Sequence, residues 1–215
     1  MQTVALIDAG SGNLRSAEKA LLKAAHLANR RREVRVTSDP EFIRRADRIV
    51  LPGVGAFAAC MAGLEAREGL REALVENVMQ TAVAFLGICV GMQQMADYGL
   101  EFGSTRGLGW IPGDVSVLEP ADPSLKIPHM GWNEVVPRRH PVFDRAWKGQ
   151  ARDVYFVHSF SFKPSESTDI VGEVDYGGPV VAAVARDNLV GVQFHPEKSQ
   201  GAGLELLSAW LDWTP

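Results

Sequence analysis

The chain has 215 residues, 46% of them apolar and 22% charged, and its 22 basic and 26 acidic side chains leave a net charge of −4. A chain of this length buries roughly 70% of its unfolded surface, so a single domain over residues 1–215 is expected. The composition excludes disordered, collagen-like and coiled-coil chains, and the acidic balance argues against a general nucleic-acid binder.

Val4-Ala5-Leu6-Ile7 reads as a short buried strand. The start of the chain has no basic segment, and its apolar run breaks at Asp8, so no targeting segment is expected there. Gly10-Ser11-Gly12-Asn13 forms a turn into a helix over about Leu14–Ala28, which Asn29 can cap. Val34 and Val36 mark a second strand, and Asp39-Pro40 opens a short helix. Ile49-Val50-Leu51 is a third strand, stopped by Pro52-Gly53. Leu64, Leu70, Leu74, Val75 and Val78 predict a longer helical region. Ala82–Ile88 is a fourth strand, apolar throughout, as in a sheet covered on both faces. After Gly107 the texture changes to short valine-rich strands at Val115–Leu118, Val154–Val157, Val180–Val184 and Leu189–Phe194, with a last helix over about Gly203–Leu211. Strands alternating with helices predict an α/β fold on a mainly parallel sheet, and the later strands add antiparallel pairing. Pro120–Pro123 is the expected exposed loop, and Arg30-Arg31-Arg32 and Arg44-Arg45 read as solvated helix faces.

The longest run without a polar residue other than cysteine is the eleven residues Ala82–Met92, whereas a membrane helix needs about 18, so no membrane association is expected. Two cysteines make no disulfide framework, which suits the cytoplasm.

Cys89 stands in Gly87-Ile88-Cys89-Val90-Gly91, directly after the buried strand. This is the cysteine form of the G-x-S-x-G elbow, a sharp strand-to-helix turn that presents a nucleophile at the start of a helix, here about Val90–Ala96. Glycines two residues away on either side remove side chains that would clash. The helix N-terminus favours the thiolate, and the Val90 N–H points towards a developing oxyanion. Given the chain's glycine and cysteine content, chance supplies about 0.02 such matches. Cys60, in an alanine-rich stretch, reads as packing.

A cysteine nucleophile needs a base and a group to orient it. His195-Pro196-Glu197 follows the last apolar strand. In an extended segment residues i and i+2 share a side, so Glu197 can hold one imidazole nitrogen while the other faces Cys89. The same H-x-E spacing occurs in zinc deaminases, but those also need a C-x-x-C ligand pair, which this chain lacks, so no metal is expected. Pro52-Gly53-Val54-Gly55-Ala56-Phe57 can turn backbone N–H groups towards an oxyanion at a strand's carboxyl end. Gly10-x-Gly12 lacks the third glycine of a dinucleotide fingerprint, so no such cofactor is expected. Pro128–Asn133 and Val157–Phe160 carry uncommon side chains in short loops and read as packing or partner contacts. Trp110, Trp147, Trp210 and Trp213 read as packing residues.

Gly87–Gln93 and Gln193–Glu197 resemble the nucleophile and His–Glu motifs of the class I (triad) glutamine amidotransferases, and the match covers nearly the whole chain. Asp8–Ser16, Leu51–Phe57, Pro128–Asn133, Tyr155–Ser159 and Glu197–Gln200 are similar to a narrower group, the glutaminase subunits of imidazole glycerol phosphate synthases. The resemblance implies a flavodoxin-like three-layer αβα sandwich. It implies hydrolysis of L-glutamine to L-glutamate and ammonia through a Cys89 thioester, with His195 moving protons and Glu197 orienting it, and with neither metal nor cofactor. The ammonia would pass to a (βα)8-barrel cyclase subunit in a heterodimer that makes imidazole glycerol phosphate and an aminoimidazole-carboxamide ribotide in histidine biosynthesis. Val54 and Val90, flanked by Gly53 and Gly55, would form the oxyanion hole, Val54 after a loop rearrangement triggered by the partner. Gln93, Glu101, Ser159 and Phe160 would hold glutamine, and Asn13, Trp132 and Lys198 would face the cyclase. The chain departs from the family at Val90, where leucine is common, at Phe160, where tyrosine is usual, at Arg30-Arg31-Arg32 in place of a glycine turn, and at Ala96-Asp97-Tyr98 in place of an acidic segment.

Three other readings compete: another amidotransferase such as the glutaminase of pyridoxal phosphate synthase, a cysteine peptidase on a similar sheet, and a binding module that keeps the fold. The first would lack Pro128–Asn133, the second needs a peptide groove, and the third would be expected to lose a triad residue.

Overall fold

Alternating side chains in the central strands decide the layering. In the computed structural model, which describes residues 2–28 and 31–215, strand β1 (Gln2–Ile7) sends Val4 and Leu6 into one apolar cluster and Ala5 and Ile7 into another. Next come β2 (Arg32–Thr37), β3 (Arg48–Gly53) and β4 (Ala84–Cys89), and β4 repeats the division, with Leu86 and Ile88 on one face and Phe85 on the other. The helices of this half are α1 (Leu14–Leu27), α2 (Pro40–Arg44), α3 (Phe57–Glu65), α4 (Leu70–Val75) and the four-residue α5 (Val90–Gln93). The chain continues through β5 (Tyr98–Gly99), β6 (Thr105–Arg106), β7 (Gly113–Val117), β8 (His129–Pro137), α6 (Pro141–Trp147), β9 (Arg152–His158) and β10 (Phe160–Pro164). It closes with β11 (Ile170–Asp175), β12 (Pro179–Arg186), β13 (Leu189–Val192), a 3₁₀ turn over Pro196–Lys198 and α7 (Gln200–Asp212).

Nine strands form one sheet in the order β2-β1-β3-β4-β13-β12-β11-β8-β9. From β2 to β13 the pairing is parallel, and from β13 to β9 it is antiparallel. A smaller sheet, β10-β7-β5-β6, lies beside it. The face carrying Val4 and Leu6 is covered by α1, α6 and α7, with Trp147 and Trp210 fully buried. The opposite face is covered by α2, α3 and α4, where Ile43, Leu64, Leu70 and Leu74 pack. The result is the expected α/β architecture in three layers. Trp110, Trp147, Trp210 and Trp213 are all buried, as expected of packing residues.

Several elements differ from the sequence expectation. The long helical region is broken into α3, α4 and a π-helical turn over Glu76–Gln80, because Gly69 at φ +73° turns the chain between α3 and α4. The helix expected over Val90–Ala96 stops at Gln93, since Met95 N–H and Ala96 N–H bond back to Met92 and Gln93, three residues away, and the turn tightens. Pro128–Asn133 is not a loop: residues from His129 onwards form β8, paired antiparallel with β9. Arg32 is no solvated residue. Its side chain is 3% exposed and reaches Asp212, 180 residues away, with Nη2–Oδ1 at 2.9 Å. Asp212 also takes Arg145 Nη2 at 2.6 Å, so one carboxylate ties β2 and α6 to α7. The proposed cap Asn29 and Arg30 lie outside the described residues.

Breaking a buried ion pair leaves its partner charged in a dry site, whereas losing an exposed partner costs little. Urea unfolding is therefore expected to show Asp212→Ala destabilised by about 3–5 kcal/mol. Arg145→Ala, whose side chain is 58% exposed, is expected to lose less than about 1 kcal/mol.

Candidate active site

Cys89 ends β4 at φ +54° and ψ −112°, a backbone conformation that costs a non-glycine residue about 1–3 kcal/mol. The surrounding backbone leaves no alternative. A Cβ on Gly91 would lie 1.8 Å from the Leu51 carbonyl oxygen, and one on Gly87 would lie 2.6 Å from the Gly91 carbonyl oxygen. The elbow thus closes on β3 with bare backbone on both sides. Gly53 pairs with Cys89 across the β3–β4 ladder, and a Cβ there would come within 2.9 Å of Gly91 N.

The imidazole of His195 arrives from a distant part of the sequence. After β13 the chain leaves the ladder, and His195 N–H bonds to the Tyr155 carbonyl of β9 at 2.9 Å. Ser199 stitches this junction: its hydroxyl donates to the His195 carbonyl at 2.7 Å and accepts Tyr155 N–H at 3.0 Å. Glu197 Oε1 meets His195 Nδ1 at 2.9 Å, and both side chains are only 3% exposed. His195 Nε2 is buried. Burial by itself would lower the His195 pKa, but the neighbouring Cys89 thiol and the Glu197 carboxylate outweigh it and push the value up to about 9. Gln193 Nε2 also donates to Cys89 Sγ at 3.6 Å, and α5, the helix that follows the cysteine, is only four residues long.

An open cleft of about 310 Å³ lies above the thiol, a volume suited to an amino-acid-sized ligand. It is lined by Cys89 and His195, by Val54, Gly55 and Val90 of the expected oxyanion hole, and by Gln93, Glu101, Ser159 and Phe160. Gly53 sits just behind in β3. Val54 is held from below. Cys60, buried as expected of a packing residue, also donates its thiol to the Val54 carbonyl at 3.4 Å and contacts Ser11 Oγ at 3.3 Å. Glu101 Oε2 accepts Phe57 N–H at 2.8 Å, which satisfies the first turn of α3 and anchors Glu101 at the cleft. Gln93 Nε2 donates to the Phe160 carbonyl at 3.1 Å and to Gln193 Oε1 at 2.9 Å.

Trp132 and Lys198 flank Tyr155, Trp132 edge-on at 6.1 Å and Lys198 Nζ 5.6 Å from the ring. Trp132 is 49% exposed and its neighbour Met130 is 64% exposed. Asn13 precedes α1, which packs on the 3₁₀ turn containing Lys198.

Gln193, Ser199 and His158 stand within the stretches Gln193–Glu197, Glu197–Gln200 and Val157–Phe160, but their contacts with Cys89, His195 and His129 are made by the fold. Gln193 was legible in principle, since it stands two residues before His195 and shares its side of an extended segment. No local feature marks Ser199, whose partners are 44 and 4 residues away. Among the described residues no group of three or more His, Cys, Asp or Glu side chains is placed to hold a metal ion, and no helix is long and apolar enough to cross a membrane.

Known proteins match the chain along nearly its whole length. The family model for class-I glutamine amidotransferases matches residues 5–211. The imidazole glycerol phosphate synthase subunit HisH of Caulobacter vibrioides is 55% identical over 216 residues, covering 100% of both chains. The protein of the same name from Rhodospirillum rubrum is 53% identical over 99% of both. Among solved structures, a glutamine amidotransferase superposes with a TM-score of 0.69 at 16% identity, covering 95% of this chain and 98% of that one. A glutamine amidotransferase from Thermotoga maritima gives 0.60 at 17% identity, over 91% of this chain and 76% of its own.

A histidine whose folded pKa exceeds its unfolded value of about 6.5 adds stability that is complete below about pH 6.5 and is lost as the pH rises through the folded value. His195 is expected to titrate by NMR near pH 9, so its contribution to stability fades between about pH 6.5 and 9. Cys89→Ala removes the strongest raising influence, and in that variant the His195 titration is expected to move down. An unmoved titration would show that the thiol and imidazole are not coupled.

Proposed function

The chain belongs to the class-I glutamine amidotransferase family, and we propose that it is the glutaminase subunit of an imidazole glycerol phosphate synthase, acting in histidine biosynthesis as one 215-residue cytoplasmic domain. The observation that carries this reading is the Cys89–His195–Glu197 line buried at the floor of an amino-acid-sized cleft, in a chain alike from end to end to HisH proteins.

The chemistry follows from the geometry. With His195 protonated beside it, Cys89 attacks as a thiolate on the carboxamide carbon of glutamine. The carbonyl electrons move onto oxygen, where the N–H groups of Val90 and Val54 donate hydrogen bonds to the developing oxyanion. His195 gives its proton to the departing nitrogen, the C–N bond breaks, and ammonia leaves a glutamyl thioester on Cys89. The neutral imidazole then takes a proton from water, whose hydroxide attacks the thioester. Glutamate departs, and the thiolate–imidazolium pair is restored. Glu197 holds Nδ1, so that Nε2 always faces the sulfur. Gln93, Glu101 and the backbone of Ser159 and Phe160 hold the substrate. The exposed face bearing Asn13, Trp132 and Lys198 docks a (βα)8-barrel cyclase, which receives the ammonia in a heterodimer.

Glutamate release from glutamine tests this reading, measured for the chain alone and then with the cyclase and its ribotide ligand. Low activity alone, a rise of about 10–100-fold with the liganded partner and loss in Cys89→Ala are expected. Strong activity that the partner leaves unchanged would remove the pathway assignment and keep the triad.

A further inference from the structure

Two buried histidines stand outside the triad. His129 of β8 and His158 of β9 face each other across the ladder, with His129 Nδ1 and His158 Nε2 at 3.0 Å. His129 is clamped between Phe156 and Tyr176, with ring centroids at 4.7 and 3.9 Å. Burial above all pushes both down to about 4, so both rings are neutral at neutral pH and each carries one proton.

The neighbours decide where those protons sit. Asn133 Oδ1 accepts Glu134 N–H at 2.8 Å, which fixes the amide and turns Nδ2, a donor only, towards Asp175 O at 2.9 Å and His129 Nε2 at 3.3 Å. His129 Nε2 is therefore the acceptor, and Nδ1 carries the hydrogen and donates to His158 Nε2. His158 in turn carries its hydrogen on Nδ1 and donates to the Phe160 carbonyl, an acceptor only, at 2.9 Å. A single assignment satisfies every link. The same carbonyl takes Gln93 Nε2 at 3.1 Å, and Gln93 holds Gln193, which donates to Cys89 Sγ.

We propose that His129 and His158 are positioning residues, a hydrogen-bond relay of fixed polarity that couples Asn133, which follows the exposed Trp132 in β8 with its side chain on the opposite, His129 side of the strand, to the Phe160 carbonyl and through Gln93 and Gln193 to the thiol. The coupling to a docked partner rests on the reading of function above; the relay itself does not. A buried donor or acceptor left unmatched costs about 1–3 kcal/mol, so a shift of the β8 face is passed along the chain of bonds rather than absorbed at one of them. Coupling of this kind is reciprocal, so an occupied cleft also stiffens the face that the partner meets.

The test has two arms. In the first, ¹⁵N NMR of the wild-type chain reads the imidazole nitrogens directly, and both His129 and His158 are expected as Nδ1–H tautomers. Either ring found as the Nε2–H tautomer overturns the relay. In the second, His129→Phe keeps an aromatic ring between Phe156 and Tyr176 but cannot donate or accept. Glutamate release by the isolated variant is expected within about threefold of wild type, while its stimulation by the liganded cyclase falls by at least about tenfold. Full stimulation in the variant overturns the proposal, and so does an equal loss of basal and stimulated rates. A wild type that does not respond to the cyclase would remove the functional reading instead, and the tautomers would then decide the relay alone.

Discussion

Leu51 and Gly91 meet so closely that no side chain fits between them, and the rest of the site depends on that contact. It sets the path of the chain out of β4 and forces Cys89 into a left-handed backbone conformation. Strain of this size persists only where the surroundings over-determine it. Here the parallel ladder of β3 and β4 does so, pairing Gly53 with Cys89. The loop bearing Val54 grows directly from the end of that ladder, so the strand that strains Cys89 also carries Val54 to the cleft.

Three buried histidines lie near this cleft, and their surroundings drive them in opposite directions. Burial disfavours the charge on each. His195 has a carboxylate at 2.9 Å and a thiol beside it, and it is pushed up to about 9. His129 and His158 have each other, an amide and a carbonyl as hydrogen-bond partners, and burial first, with a neighbouring imidazole, pushes them down to about 4. The same residue type is thus held protonated at one position and neutral at two others. The Cys89 thiol first, and then the Glu197 carboxylate two residues along the chain, make the difference.

Legibility from sequence follows the range of the interaction. The apolar runs of β1, β3 and β4, the Gly-x-Cys-x-Gly elbow and the His-Pro-Glu pair are short-range features, and they read correctly as strands and as neighbours. The strand character of residues 129–137 did not, because β8 is only partly buried and its glycine, tryptophan and asparagine look like loop residues. Arg32 read as solvated because its partner is 180 residues away. The helix after Cys89 read too long because its apolar residues continue past Gln93 while its hydrogen bonds tighten. Gln93, Glu101, Ser159 and Phe160 came from family likeness rather than from spacing, and the cleft gathers all four from three separate segments.

The position of β13 has a consequence for how the molecule comes into being. This strand is the last of thirteen among the described residues, yet it sits in the middle of the large sheet, between β4 and β12. A ribosome finishes the nucleophile's segment about a hundred residues before it reaches the base. Until β13 inserts, the sheet is two separate edges and Cys89 has no imidazole beside it. Non-local strand pairing of this kind closes late, after the chain entropy of a long loop has been overcome. A chain truncated before β13 therefore has Cys89 at the end of an open sheet edge, without the imidazole that the complete sheet brings to it.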